Sequence, residues 1–169
     1  VNYEMDEILK GRGKQDAFTP APNLKEFLMT VKKEGIKIGL VTSGLYEKAM
    51  SEIISAFKQL DMGDPVDFYD SIITAGQTLR KGQTGTLGEL EPKPHPWLYA
   101  ETARVGLGIQ FEQRHKVIGV EDSSAGVVSI KLAGFSCVGI SGGNIDRAGV
   151  ADLCDYKISD LLELLNIII

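Results

Sequence analysis

Three short stretches hold side chains whose types and spacing suit phosphate chemistry. Thr42-Ser43-Gly44 sets two hydroxyls and a glycine after an apolar, β-branched run and at the mouth of a helical pattern. Such a loop offers unpaired backbone N–H groups, a helix N-terminus and hydroxyl donors, which together suit a phosphate. The same residues also read as an ordinary helix cap. Lys93 stands in Glu91-Pro92-Lys93-Pro94-His95-Pro96. Prolines on both sides hold its backbone extended, and a lysine fixed at a sheet's edge neutralises a phosphate as a point charge. A proline-flanked surface lysine is the plainer account. Glu121 and Asp122 are adjacent carboxylates at the end of an apolar run, followed by Ser123, Ser124 and Gly126. Neighbouring carboxylates at a buried strand end repel each other unless a cation sits between them. A hard, oxygen-liganded cation such as Mg²⁺ resolves the conflict. The plainer account has Asp122 capping a helix with Glu121 solvated.

Helices and strands alternate around these stretches. Asn23 is placed to cap a helix in which Leu24, Phe27, Leu28 and Val31 recur at helical spacing and which stops at Gly35. Residues 36–41 read as a buried strand, 45–60 as a helix, 70–74 as a strand and 94–105 as a helix with Pro94 in its first turn. Residues 116–120 and 137–140 read as strands, 124–133 and 160–165 as helices. This order predicts an α/β fold: a three-layer, Rossmann-like parallel sheet with helices on both faces. Ligands of such sheets bind beyond the carboxyl ends of the strands, where all three stretches fall. Residues 1–22 read as an end segment or linker and 75–91, with four glycines, as a long surface loop.

The chain has 169 residues, 43% hydrophobic and 24% charged, with net charge −5. A chain of this size and make-up builds a core without disulfides or structural metal. No apolar run approaches the ~20 residues of a membrane span, and an isoelectric point near 5.1 without a basic block gives no footprint for nucleic acid. A cytoplasmic protein is the expectation. Cys137 and Cys154, with sixteen residues between them, read as two reduced thiols, with a disulfide or redox role as the alternative. His95 and His115 are too few for a zinc site. Trp97 and Tyr99 read as core packing, 139–144 as a turn beside the site's rim, and Ile167-Ile168-Ile169 as an end that packs on the sheet or marks a truncation.

Taken in order, a hydroxyl after a strand, Lys-Pro-x-Pro, and Gly-Val-Glu-Asp-Ser-x-Ala-Gly after a strand, the motifs resemble the haloacid dehalogenase-like phosphohydrolases. The likeness is to their capped branch, which includes β-phosphoglucomutase and phosphoglycolate phosphatase. The resemblance implies a Mg²⁺-dependent phosphatase or phosphomutase acting on a small phosphorylated metabolite. It implies that Thr42, with Ser43 and Gly44, binds the transferring phosphoryl group and that Lys93 bridges phosphate and nucleophile. Glu121 and Asp122 would serve the metal, Asp122 more directly, with Ser123 supporting them. The resemblance further implies an Asp-x-Asp-Gly nucleophile on a central strand, and the chain contains no such segment. The expectation is therefore a core domain over 23–169 that lacks its first central strand unless another segment or chain supplies it. Residues 1–22 would be the remnant of a cap or linker, Val1 a break point, and the chain inactive alone. The alternatives are a non-catalytic binding or interaction protein on the same scaffold and, more weakly, a nucleotide-binding Rossmann domain.

Overall fold

Leu28 and Val31 form the buried stripe of helix α1 (Leu24–Lys33), as their spacing requires. Gly35, at φ 73°, ends it: the Ile36 N–H reaches Val31 O and the Gly35 N–H reaches Lys32 O, closing the last carbonyls of the helix. Asn23 occupies the expected cap position in a left-handed conformation but makes no capping bond. Its amide instead donates to Asp160 at 2.8 Å, which ties the first described helix to the last. The computed structural model describes residues 19–75 and 91–169. Residues 1–18 of the expected end segment (1–22) and 76–90 of the expected loop (75–91) lie outside the described residues, and residue 75 still belongs to a strand.

Strand β1 spans Gly39–Leu45, later than the predicted 36–41. Thr42 and Ser43 continue the extended backbone, so the strand runs through the hydroxyl pair and not up to it. Helix α2 (Tyr46–Gln59) follows with Leu45 at its N-cap and no side-chain cap. A short helix α3 (Pro65–Phe68) leads into β2 (Ser71–Ala75). Helix α4 is shorter than predicted, Trp97–Glu101, and passes into a π-helical turn over Thr102–Gly106. There the Thr102 hydroxyl donates to Leu98 O at 2.7 Å, a back-bond that loosens a regular helix. A 3₁₀ turn (Phe111–Lys116) precedes β3 (Ile118–Glu121), α5 (Ser124–Leu132) and β4 (Ser136–Ile140). A second 3₁₀ turn (Ala151–Leu153), the unforeseen β5 (Tyr156–Ile158) and α6 (Leu161–Ile168) complete the order.

The strands are parallel and form two sheets. β1 pairs with β2, Val41 opposite Ile73. β3, β4 and β5 pair in that order, with Val120 opposite Val138 and Val138 opposite Tyr156. Among the described residues no strand joins β1 to β3. Alternate side chains of a strand face opposite ways, and β4 shows it. Cys137 packs in a cluster with Val127 and Ile130 of α5, whereas Val138 packs with Leu164 of α6. Helices thus cover both faces, as predicted, and Ile167 and Ile168 pack on this second cluster. Leu98 of α4 closes a small core with Ile73 and Val41. Phe57 and Phe68 meet edge to face at 5.5 Å under α1. No described helix is long and apolar enough to cross a membrane.

Asp155 fastens the β4–β5 edge. Its carboxylate accepts the Cys137 N–H at 2.7 Å and Lys131 Nζ at 3.0 Å, and these bonds, the first foremost, hold its carboxyl below the usual range. A carboxyl lowered by folding adds stability above its unfolded pKa and loses it as pH falls through the folded value. Asp155→Asn should therefore lower the thermal midpoint at neutral pH. It should also flatten the decline of that midpoint below about pH 4, as calorimetry across a pH series reads.

Candidate active site

The site lies at the carboxyl ends of β1 and β3, where the two sheets part. Lys93 reaches into that gap. Its Nζ ion-pairs with Glu121 Oε1, lies 3.4 Å from Val41 O and stands 5.1 Å above the Tyr99 ring. Its backbone N–H donates to Ser43 Oγ at 3.0 Å. One residue thus links the end of β1 to the end of β3. Its side chain is only 12% exposed and that of Glu121 8%, so neither is a solvated surface group.

Glu121 is fully engaged. Oε1 accepts the Tyr99 hydroxyl at 2.5 Å as well as Lys93, and Oε2 accepts Ser123 Oγ at 3.0 Å. A Cβ added at Gly126 would run into this carboxylate, so only glycine leaves Glu121 its place against α5. Burial, and then the Glu121 charge, push the Tyr99 phenol well above its ordinary range, which keeps it a protonated donor. Ser123 caps α5 by accepting the Gly126 N–H at 3.1 Å. The reading of Asp122 as the cap with Glu121 solvated is therefore corrected: the cap is Ser123, and Glu121 is buried.

Asp122 is exposed, and its carboxylate has no partner among the described residues. Its backbone is fixed: Asp122 O accepts the Asn144 N–H at 3.1 Å. Asn144 also accepts the Ser124 N–H at 2.7 Å and donates to Ser124 Oγ at 3.2 Å. A Cβ at Gly143 would collide with Asp122 O, so the turn after β4 packs directly on the acidic pair. On the β1 side, Thr42 Oγ1 accepts the Gly44 N–H at 3.0 Å. This pins the turn locally in place of the helix cap the sequence also allowed.

The structure therefore brings Ser43, Lys93, Glu121 and Ser123 into one connected set, with Thr42 and Asp122 at its two rims. Two members went unforeseen in this role. Tyr99 reads only as core in sequence, and its phenol is visible as a donor only once Glu121 is known to be buried beneath it. Asn144 sits in the turn read as the rim, without a pattern that marks it as a clamp. Among the described residues no group of three or more His, Cys, Asp or Glu side chains could hold a metal. The donors present fit one side of a Mg²⁺ shell. Mg²⁺ needs only one or two protein carboxylates when waters and phosphate complete its octahedron, and Asp122 offers a free one.

The chain belongs to the haloacid dehalogenase-like hydrolase family, whose model matches residues 4–140. A comparison with curated proteins gave no match. Among solved structures, CbbY from Rhodobacter sphaeroides in complex with phosphate is similar in fold, with TM-score 0.67 and 19% identity over 95% of this chain and 60% of that one. A β-phosphoglucomutase from Clostridium difficile gives TM-score 0.57 and 27% identity over 85% and 52% of the two chains. A predicted phosphoglycolate phosphatase from Haemophilus somnus gives 0.62 and 22% over 87% and 56%. The chain thus spans a little over half the length of these structures.

Proposed function

We propose that this chain carries the phosphate-holding and cation-holding part of a Mg²⁺-dependent phosphatase or phosphomutase acting on a small phosphorylated metabolite. In this reading 23–169 are the core domain and 1–22 the end of a cap or linker. The observation that carries it is the Lys93 ammonium, held between Val41 O and Glu121 at the break between the sheets. An ammonium has three donors, and these two partners leave one for a ligand oxygen. Thr42, Ser43 and the Gly44 amide flank that position from β1. Asp122 flanks it from β3 as the direct ligand of the cation, with Glu121 behind it, steadied by Ser123 and Tyr99. Bound there, Mg²⁺ would neutralise charge on the phosphoryl oxygens. Lys93 orients the group electrostatically, which is most of what phosphoryl transfer asks of a protein.

The chain holds no Asp-x-Asp-Gly, and losing a covalent nucleophile costs about 10⁶ in kcat when it acts within a unit. With Mg²⁺ present, the chain should release nitrophenol from p-nitrophenyl phosphate no faster than buffer. Inorganic phosphate with Mg²⁺ should still shift the Thr42, Gly44 and Asp122 amides in ¹H–¹⁵N spectra. Retained turnover would sink the inactivity, and unshifted amides the binding role. A second reading has an observation of its own: β1 and β3 each leave an edge unpaired among the described residues. That suits a non-catalytic scaffold that takes a strand from a partner. Self-association in sedimentation with spectra indifferent to phosphate would favour it.

A further inference from the structure

We propose that Cys137 and Cys154 form an oxidisable dithiol, closed to a disulfide by hydrogen peroxide. The proposal goes beyond the phosphoryl-transfer reading and stands without it. Cys137 lies in β4, fully buried among Val127, Ile130 and Ile145. Cys154 follows the 3₁₀ turn over Ala151–Leu153, is half-buried and packs against that same cluster. Residues two apart in a strand share a face, so Gly139 faces the same way as Cys137. A Cβ placed at Gly139 would stand 2.8 Å from Cys154 Sγ and 3.7 Å from Cys154 Cβ. The glycine therefore leaves the space that the Cys154 side chain fills, on the face where Cys137 lies.

The two backbones are locked in this register. The Asp155 N–H donates to Cys137 O at 2.8 Å, and the Cys137 N–H donates to Asp155 Oδ2 at 2.7 Å. Residue 154 is thus held beside the residue bonded to Cys137. Burial, and then the neighbouring Cys154 thiol, push the Cys137 thiol up to about 12. Cys137 is consequently a poor first reactant, since the thiolate is the nucleophile, and Cys154 is the thiol that solvent reaches.

The chemistry takes two steps and one peroxide. Cys154 sulfur attacks a peroxide oxygen; the O–O bond breaks, an S–O bond forms, and the products are Cys154 sulfenic acid and water. Cys137 sulfur then displaces the hydroxyl; the S–O bond breaks, the S–S bond forms, and a second water leaves with the Cys137 proton. The two sulfurs together give up two electrons, and the peroxide takes both. The bond would join the second residue of β4 to the residue that closes the 3₁₀ turn before β5, in the cluster that also holds Ile145 of the loop that brings Asn144 to Asp122.

The test uses the folded chain as it is. After treatment with hydrogen peroxide, the peroxide is removed, remaining thiols are alkylated in denaturant so that buried ones are reached, and the protein is digested with trypsin without reduction. Cleavage after Lys131, Arg147 and Lys157 puts the cysteines on separate peptides, 132–147 and 148–157. The expected result is one species joining these two peptides, an intact monomer lighter by two hydrogens, and loss of both thiols reversed by dithiothreitol. Cys154→Ser should leave Cys137 reduced at the same dose, because the first reactant is gone. Cys154 driven to sulfinic or sulfonic acid beside an alkylated Cys137 would overturn the proposal. So would a disulfide between two copies, or two thiols that peroxide leaves untouched.

Discussion

Lys93→Ala is expected to destabilise the chain by about 3 kcal/mol, because it strands a buried carboxylate. Glu121 is 8% exposed and pairs with an ammonium that is itself largely buried. Two charges taken from water in this way are worth little as a pair compared with apolar residues of the same shape. One charge left behind is costly, and Tyr99 and Ser123 supply hydrogen bonds but no countercharge. The urea midpoint should fall with an unchanged slope. Adding Glu121→Gln should recover much of the loss, since the doubly substituted site buries no unpaired charge. A midpoint shift no greater than that of the exposed Lys58→Ala would show that Glu121 reaches water. The substitution should also abolish the phosphate-dependent amide shifts, separating it from a purely structural lysine.

Leu98→Ala is expected to cost about 3 kcal/mol as well, by a different route. Leu98 is completely buried and packs on Ile73 and Val41, so truncation removes the transfer energy of the side chain and leaves a cavity. The position matters as much as the size. Leu98 is what presses α4 against the β1–β2 sheet, one residue before Tyr99, and it packs on Val41, whose carbonyl Lys93 touches. Urea unfolding should record the loss of stability, and phosphate should shift the Thr42 amide less than in the unsubstituted chain. Trp97→Ala, on the exposed side of the same helix, should stay within about 0.5 kcal/mol. Equal effects of the two would refute the assignment of Leu98 as the clamp.

The parallel α/β order was legible because β-branched runs and helical stripes are separate periods, and because Gly35 and Gly134 end their helices at positive φ. Boundaries were less legible. β1 runs on through Thr42 and Ser43 because both residues tolerate an extended backbone as readily as a cap. α4 ends early because Thr102 bonds back to Leu98 O, a competition that apolar spacing does not reveal. β5 is three residues long and has a single buried side chain, Ile158, too little for any periodicity to register. At the site, residue types with known chemistry were visible at once: Lys93, Glu121, Asp122 and the hydroxyls. What could not be read was who satisfies whom. That Glu121 would spend both oxygens on Lys93, Tyr99 and Ser123, leaving Asp122 as the open carboxylate, depends on burial and on long-range approach.

The break between the two sheets also bears on cooperativity. With no ladder between β1 and β3 among the described residues, their backbone hydrogen bonding does not oblige one half to unfold with the other, and such units open with free energies of their own. Lys93, the helix α4 that follows it and the packing of α1 against α6 link the two halves across the seam. A phosphate bound there would engage both halves at once and be released if either opened. By linkage, ligand at a hundred times its Kd adds about 2.7 kcal/mol to the native state, and here that increment would be shared between two units otherwise joined by side-chain packing. Occupancy of the site would then act as a fastener of the fold, turning two loosely joined half-sheets into one cooperative body.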